Sequence, residues 1–131
     1  MIYWDKDVAL AELEGKVIKE IVGLEKESDE VRIFTECGKE YLFYHDQNCC
    51  ESVALNDFDG CADDMIGATI ISAEAVSNKD SGEKPSEYAD SWTWTFYKIE
   101  TTKGGILMRW LGESNGYYSE SVSFVWANKP D

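Results

Sequence analysis

Arginine is nearly missing from this chain, histidine occurs once and proline twice. The two arginines, Arg32 and Arg109, are too few to form a cluster that grips phosphate groups. With 26 Asp+Glu against 12 Lys+Arg, the formal charge of −14 runs against direct binding to nucleic acid or to an anionic bilayer. Both of those depend on neutralising phosphates with Lys and Arg. A single histidine means that any triad or Cys–His dyad has to use His45. The longest apolar runs, such as Met65–Ile71, are broken by Gly or Thr and fall far short of a membrane span. The opening Met1-Ile2-Tyr3-Trp4-Asp5 lacks the basic, apolar, small-residue order of a secretory leader, so the expected address is the cytoplasm. Nucleotide-binding motifs are absent as well: Gly104-Gly105 is not part of a glycine-rich loop running into a helix.

What remains is enough for one folded domain, residues 1–131. A length of 131 residues, 44% of them hydrophobic, supports a single core, and five Trp, seven Tyr and five Phe give that core bulk. The acids form no single tail: residues 1–60 hold 15 acids and 6 bases, residues 61–131 hold 11 and 6. A spread of this kind gives a solvated surface, and it also suits attraction to a basic partner whose natural ligand is nucleic acid. Cys37, Cys49, Cys50 and Cys61 are expected as reduced thiols, because adjacent Cys49 and Cys50 close a strained ring if they pair and no leader directs the chain to an oxidising compartment.

Along the chain, Asp5 caps a predicted short helix within residues 1–14, with Val8, Ala9, Ala11 and Leu13 as its apolar side and Gly15 as its stop. Apolar alternation then predicts strands over residues 16–24, 31–35 and 40–46, joined by short turns as a meander. Residues 51–55 read as strand or helical turn, 56–60 as turn chemistry, 61–66 as a short helix and 68–77 as a long strand. Residues 78–90 (NKDSGEKPSEYAD) read as a mobile loop. The segment SWTWTFYKIET, residues 91–101, alternates with period two, placing Trp92, Trp94 and Phe96 on one side and Thr93, Thr95 and Tyr97 on the other. A turn at residues 103–105 leads into residues 106–111, and Asn115-Gly116 is read as a hairpin turn into a strand over residues 118–126. The expected fold is mostly β (α+β): a single antiparallel, meander-like twisted sheet, or a small sandwich or partial barrel, with one or two short helices.

Chemistry-bearing patterns are sparse. His45, Cys49, Cys50 and Cys61 include the right atoms for zinc but lack the paired-cysteine spacing of a zinc site. The acidic stretch at residues 56–64 resembles a calcium loop until positions one and twelve are read as Leu55 and Ile66. No metal or cofactor is expected, and no catalytic residue is assigned. Both faces of residues 91–99 carry aromatics although one face of a sheet usually meets water, which suggests a groove or interface there. The candidate binding residues are Trp92, Trp94, Arg109, Glu113, Tyr117 and Tyr118. An alternative pocket, for a small ligand or a reaction, would gather His45, Cys49 and Glu51, with Arg109 as an anion contact.

Two segments, YLFYHDQNCCESV at residues 41–53 and RWLGESNGYYSESV at residues 109–122, together with SWTWTFYK at residues 91–98, resemble a small family of uncharacterised bacterial and bacteriophage proteins. The resemblance runs from about Gly15 to Phe124. It carries no activity; it implies a phage or mobile-element setting, in which small acidic proteins bind and block host proteins. The expectation is therefore a non-enzymatic module that binds a basic protein partner and neither nucleic acid nor membrane.

Overall fold

The computed structural model describes residues 6–7, 10–45, 47, 50–79, 84–85, 90–116 and 119–127. Within them lie nine strands: β1 (Lys6–Asp7), β2 (Ile18–Val22), β3 (Glu30–Thr35), β4 (Glu40–Tyr44), β5 (Ser52–Asp59), β6 (Ile70–Lys79), β7 (Ser91–Thr101), β8 (Gly104–Ser114) and β9 (Ser123–Trp126). They form two antiparallel sheets, a five-stranded one in the order β1-β9-β4-β3-β2 and a four-stranded one in the order β5-β8-β7-β6. The mostly-β expectation holds, in its two-layer form. Among the described residues no helix is long and apolar enough to cross a membrane.

Alternation builds the core. In β3 the residues Val31, Ile33 and Thr35 are buried and their neighbours half-buried, and in β7 the side carrying Thr93, Thr95, Tyr97, Ile99 and Thr101 is buried throughout. The inner faces meet through aromatic rings: Phe43 of β4 packs edge-on against Tyr97 of β7 at 4.8 Å between centroids, and Phe124 of β9 lies 4.7 Å from Phe43. Leu55, Ile99, Met108 and Trp110 fill the same layer at 1% exposure or less. Burying a side chain of this size is worth roughly 1.5–3 kcal/mol, so these few residues set where the two sheets sit.

The sheets are also stitched by backbone. Ile18 N–H donates to Ala68 O at 2.9 Å and Ile70 N–H to Lys16 O at 2.8 Å, which ties the start of β2 to the start of β6. At another corner Glu27 N–H donates to Leu55 O at 2.7 Å and Leu55 N–H to Ser28 O at 2.9 Å.

Several expectations need correction. The described part of the N-terminal segment is a short strand and a 3₁₀ turn, Leu10–Leu13, in place of a capped helix. The second expected helix is likewise a 3₁₀ turn, Asp63–Met65. Residues 56–59 are not a turn. They continue β5, because Asn56 is accommodated as an irregularity in register and Asp57, Phe58 and Asp59 then pair with Arg109, Met108 and Leu107 of β8. The β7–β8 hairpin turns at Thr102-Lys103, one position earlier than read, since Thr101 is paired with Gly104. Asn78 and Lys79 belong to β6, and most of the expected loop at residues 78–90 lies outside the described residues.

The largest difference concerns Asn115-Gly116. β9 does not return alongside β8; it pairs with β4 and β1 in the other sheet. Gly116 has φ +89°, whereas Asn115 is not in the left-handed region, so a primed two-residue turn is not formed. The segment instead carries the chain from one sheet to the other, and Phe124 and Val125 are buried where it arrives.

Candidate functional site

The register places the even residues of β7 on the outer face of the four-stranded sheet, away from the core. Trp92 lies opposite Glu113, Trp94 opposite Leu111, and Phe96 between Arg109 of β8 and Val76 of β6. This face is apolar at its centre: Trp94 is 6% exposed, Trp92 and Phe96 are half-buried, and Leu107 and Val76 are 42% and 57% exposed. Aromatic side chains on the solvent side of a sheet are unusual unless something covers them.

Arg109 organises that face. Its guanidinium lies over the Trp94 ring, 4.7 Å from the centroid, and its Nη2 donates to Asn56 Oδ1 at 2.8 Å. Asn56 reaches it because of the irregularity in β5. Arg109 Nε is buried without a hydrogen-bond partner among the described residues. Beside the guanidinium is a groove of about 220 Å³ lined by Asp57, Phe58, Asp59, Phe96, Leu107 and Arg109. One wall is thus apolar, and Asp57 and Asp59 line another part of it. Lys84 contributes a second cation over an aromatic ring, its Nζ 5.8 Å from the Trp92 centroid. Of the residues expected here, Trp92, Trp94, Arg109 and Glu113 share the outer face, whereas Tyr117 and Tyr118 lie outside the described residues.

The segment that follows β8 is anchored by a carboxylate that sequence reasoning passed over. Glu120 is 6% exposed; its Oε1 accepts from Thr93 Oγ1 at 2.7 Å and its Oε2 accepts from Ser114 Oγ. Ser114 Oγ in turn accepts from Gly116 N–H at 2.9 Å. Glu120 comes so close to β8 that a Cβ on Gly112 would stand 2.5 Å from its carbonyl oxygen. One glutamate among many acids carries no signal in the sequence. A glycine inside an otherwise apolar strand does, since it often marks a place where another backbone approaches.

The alternative pocket is half assembled. His45 and Glu51 meet, Nε2 to Oε2, at 2.7 Å, with side chains 3% and 0% exposed. The other ring nitrogen, Nδ1, donates to Ser121 O at 2.7 Å, because a carbonyl only accepts. Gln47 Nε2 donates to Glu51 O at 2.6 Å across the same cluster. Both imidazole nitrogens are therefore engaged, and the pair holds the end of β4, the start of β5 and the approach to β9 together. Arg109 takes its contacts from Asn56 and Trp94 instead, and Cys49 lies outside the described residues.

The cysteines depart from the expectation of four thiols. Cys37 and Cys61 are free and exposed, but Cys50 is disulfide-bonded. The Cys37 thiol is held below its ordinary value, chiefly by the Thr35 hydroxyl 3.2 Å away and by the backbone of Lys39.

No curated protein and no solved structure matches the chain. A family model does, over residues 12–124, from the 3₁₀ turn before β2 to the second residue of β9, so it spans both sheets and the outer face just described. The chain belongs to that family, a domain of unknown function designated DUF7448.

Proposed function

We propose that the protein is a non-enzymatic protein-binding module whose outer β7–β8 face receives a basic segment of a protein partner. The observation that carries this reading is the pairing of an exposed apolar surface with fixed charge. Phe96 and Leu107 line the same groove as Asp57 and Asp59, beside an arginine already held in place by Trp94 and Asn56. A lysine or arginine of a partner has an apolar stem and a charged head, and the groove offers a surface for each. The charge of −14 adds long-range attraction and favours a partner whose own surface is basic, such as one that otherwise binds nucleic acid. The resemblance to bacterial and bacteriophage proteins supports a role as an acidic inhibitor acting in the cytoplasm of a bacterial host.

Capture from a bacterial lysate, at low and at moderate salt, tests this. The wild-type chain should retain a specific basic protein that is released as salt rises, and Leu107→Glu should not retain it. No retained protein at either salt, or equal retention by Leu107→Glu, contradicts the proposal.

A further inference from the structure

We infer that the outer edge of β6 is a self-association surface, on which a second copy of this chain adds its own β6 in antiparallel register centred on Val76. This rests on backbone geometry and is independent of the groove reading.

Ile70, at the start of β6, accepts from Gly15 N–H and donates to Lys16 O, both at 2.8 Å, so it turns its backbone away from β7. Its register partner Thr101 closes the two-residue hairpin with Gly104 and faces β8. The register shifts between Ile70 and Ser72, and antiparallel alternation then gives the bonds with β7 to Ser72, Glu74, Val76 and Asn78. That leaves the N–H and C=O groups of Ala73, Ala75 and Ser77 pointing out of the sheet. β6 ends the sheet order, and among the described residues no strand pairs with it on that side.

Edge strands are ordinarily guarded by proline, by charge or by being short. β6 runs for ten residues without proline, and Glu74 and Lys79 are its only charged residues. The rest of a chain of charge −14 repels a second copy, whereas this strand is formally neutral. It also matches itself. With Val76 opposite Val76 of the second copy, the outward-facing Ala75 meets Ser77 and Ala73 meets Lys79. Glu74 then lies opposite Asn78, so Glu74 does not face its own counterpart, an arrangement that like charges disfavour. Val76, 57% exposed in one copy, gains its counterpart as a cross-strand neighbour in the pair. Because Val76 is the register partner of Phe96, Val76 and Phe96 of both copies line up as one apolar row across the four central strands of the joined sheet.

Sedimentation equilibrium of the full chain tests the inference. The wild type should weigh twice 14.8 kDa, and Val76→Lys and Ala75→Pro should each return it to 14.8 kDa. Ala75→Pro removes only an outward N–H, so β7 pairing survives; where that variant fails to fold, Val76→Lys decides. In a Cys37→Ser, Cys61→Ser background, Val76→Cys should cross-link copy to copy on oxidation, since facing residues of this pair class have Cα atoms about 4.5 Å apart. A wild type that stays monomeric at about 1 mM, where even weak association shows, overturns the inference. A dimer that both substitutions leave intact overturns it equally.

Discussion

Three side-chain positions test how tightly the molecule is tied together. A Cβ at Gly112 would meet Glu120 O at 2.5 Å and Glu120 Cβ at 2.8 Å, backbone and near-backbone atoms that cannot swing aside. Gly112→Ala should therefore destabilise the fold by about 1–3 kcal/mol, seen as a lower urea midpoint at unchanged slope. His45 and Glu51 form a buried pair in which each side chain answers the other. His45→Ala leaves the Glu51 carboxyl buried without that partner and should cost about 3–5 kcal/mol, while joint replacement of both by leucine should cost less than the single change. At the exposed Cys37, the lowered thiol means that thiolate persists to lower pH than in an ordinary cysteine. Its alkylation rate should accordingly rise at lower pH than that of a cysteine in an unstructured peptide. Thr35→Val, which removes the leading cause of the shift, should move the profile upward; an unmoved profile would refute the role given to the hydroxyl.

At the level of elements, local signals were legible and long-range partnerships were not. The β2–β3–β4 meander and the β7–β8 hairpin are written in alternation and turn residues close together in the chain. The partner of β9 is not: Val122, Phe124 and Trp126 alternate as a strand should, and Asn115-Gly116 marks a reversal, yet the strand pairs with β4 because that is where Phe124 and Val125 become buried. The hydroxyls and carboxylate that fasten the crossing, Thr93, Ser114 and Glu120, are spread over 28 residues of chain. Asn56–Asp59 misled in the opposite sense, since turn-forming residue types sit in β5, where pairing with β8 outweighs their local preference. The glycine of the crossing still matters. Gly116 has φ +89°, and a Cβ there would meet only Ser91 Cβ at 3.8 Å, an ordinary contact, so Gly116→Val should cost about 1 kcal/mol or more, chiefly through backbone strain. A melting temperature equal to the parent's would show that this backbone conformation is not required.

For the whole molecule, the excess of aromatics over what one core needs was the legible trace of the outer face. Period two sorted Trp92, Trp94 and Phe96 from Thr93, Thr95 and Tyr97 correctly, and the tryptophan-bearing side turned out to face away from the core. What sequence could not supply was the register that brings Asn56 and Asp57 of one edge strand to Arg109, because the irregularity in β5 that sets it has no signature in the residues themselves. His45 and Glu51 were paired in reading as members of a pocket, but the carbonyl of Ser121 that occupies the second ring nitrogen lies 76 residues away in the chain. The proposed role therefore depends on a surface assembled from three strands.

The most direct measurement is calorimetric titration of the captured basic partner into the wild type, Phe96→Ala, Leu107→Glu and Lys19→Ala. Lys19 is exposed on β2, in the other sheet, and serves as the control. Phe96→Ala and Leu107→Glu should each weaken binding by about tenfold or more, equivalent to about 1.4 kcal/mol, with melting temperatures near the parent's and Lys19→Ala unchanged. Equal affinity for all four chains, or a loss confined to Lys19→Ala, would contradict binding through the β7–β8 face.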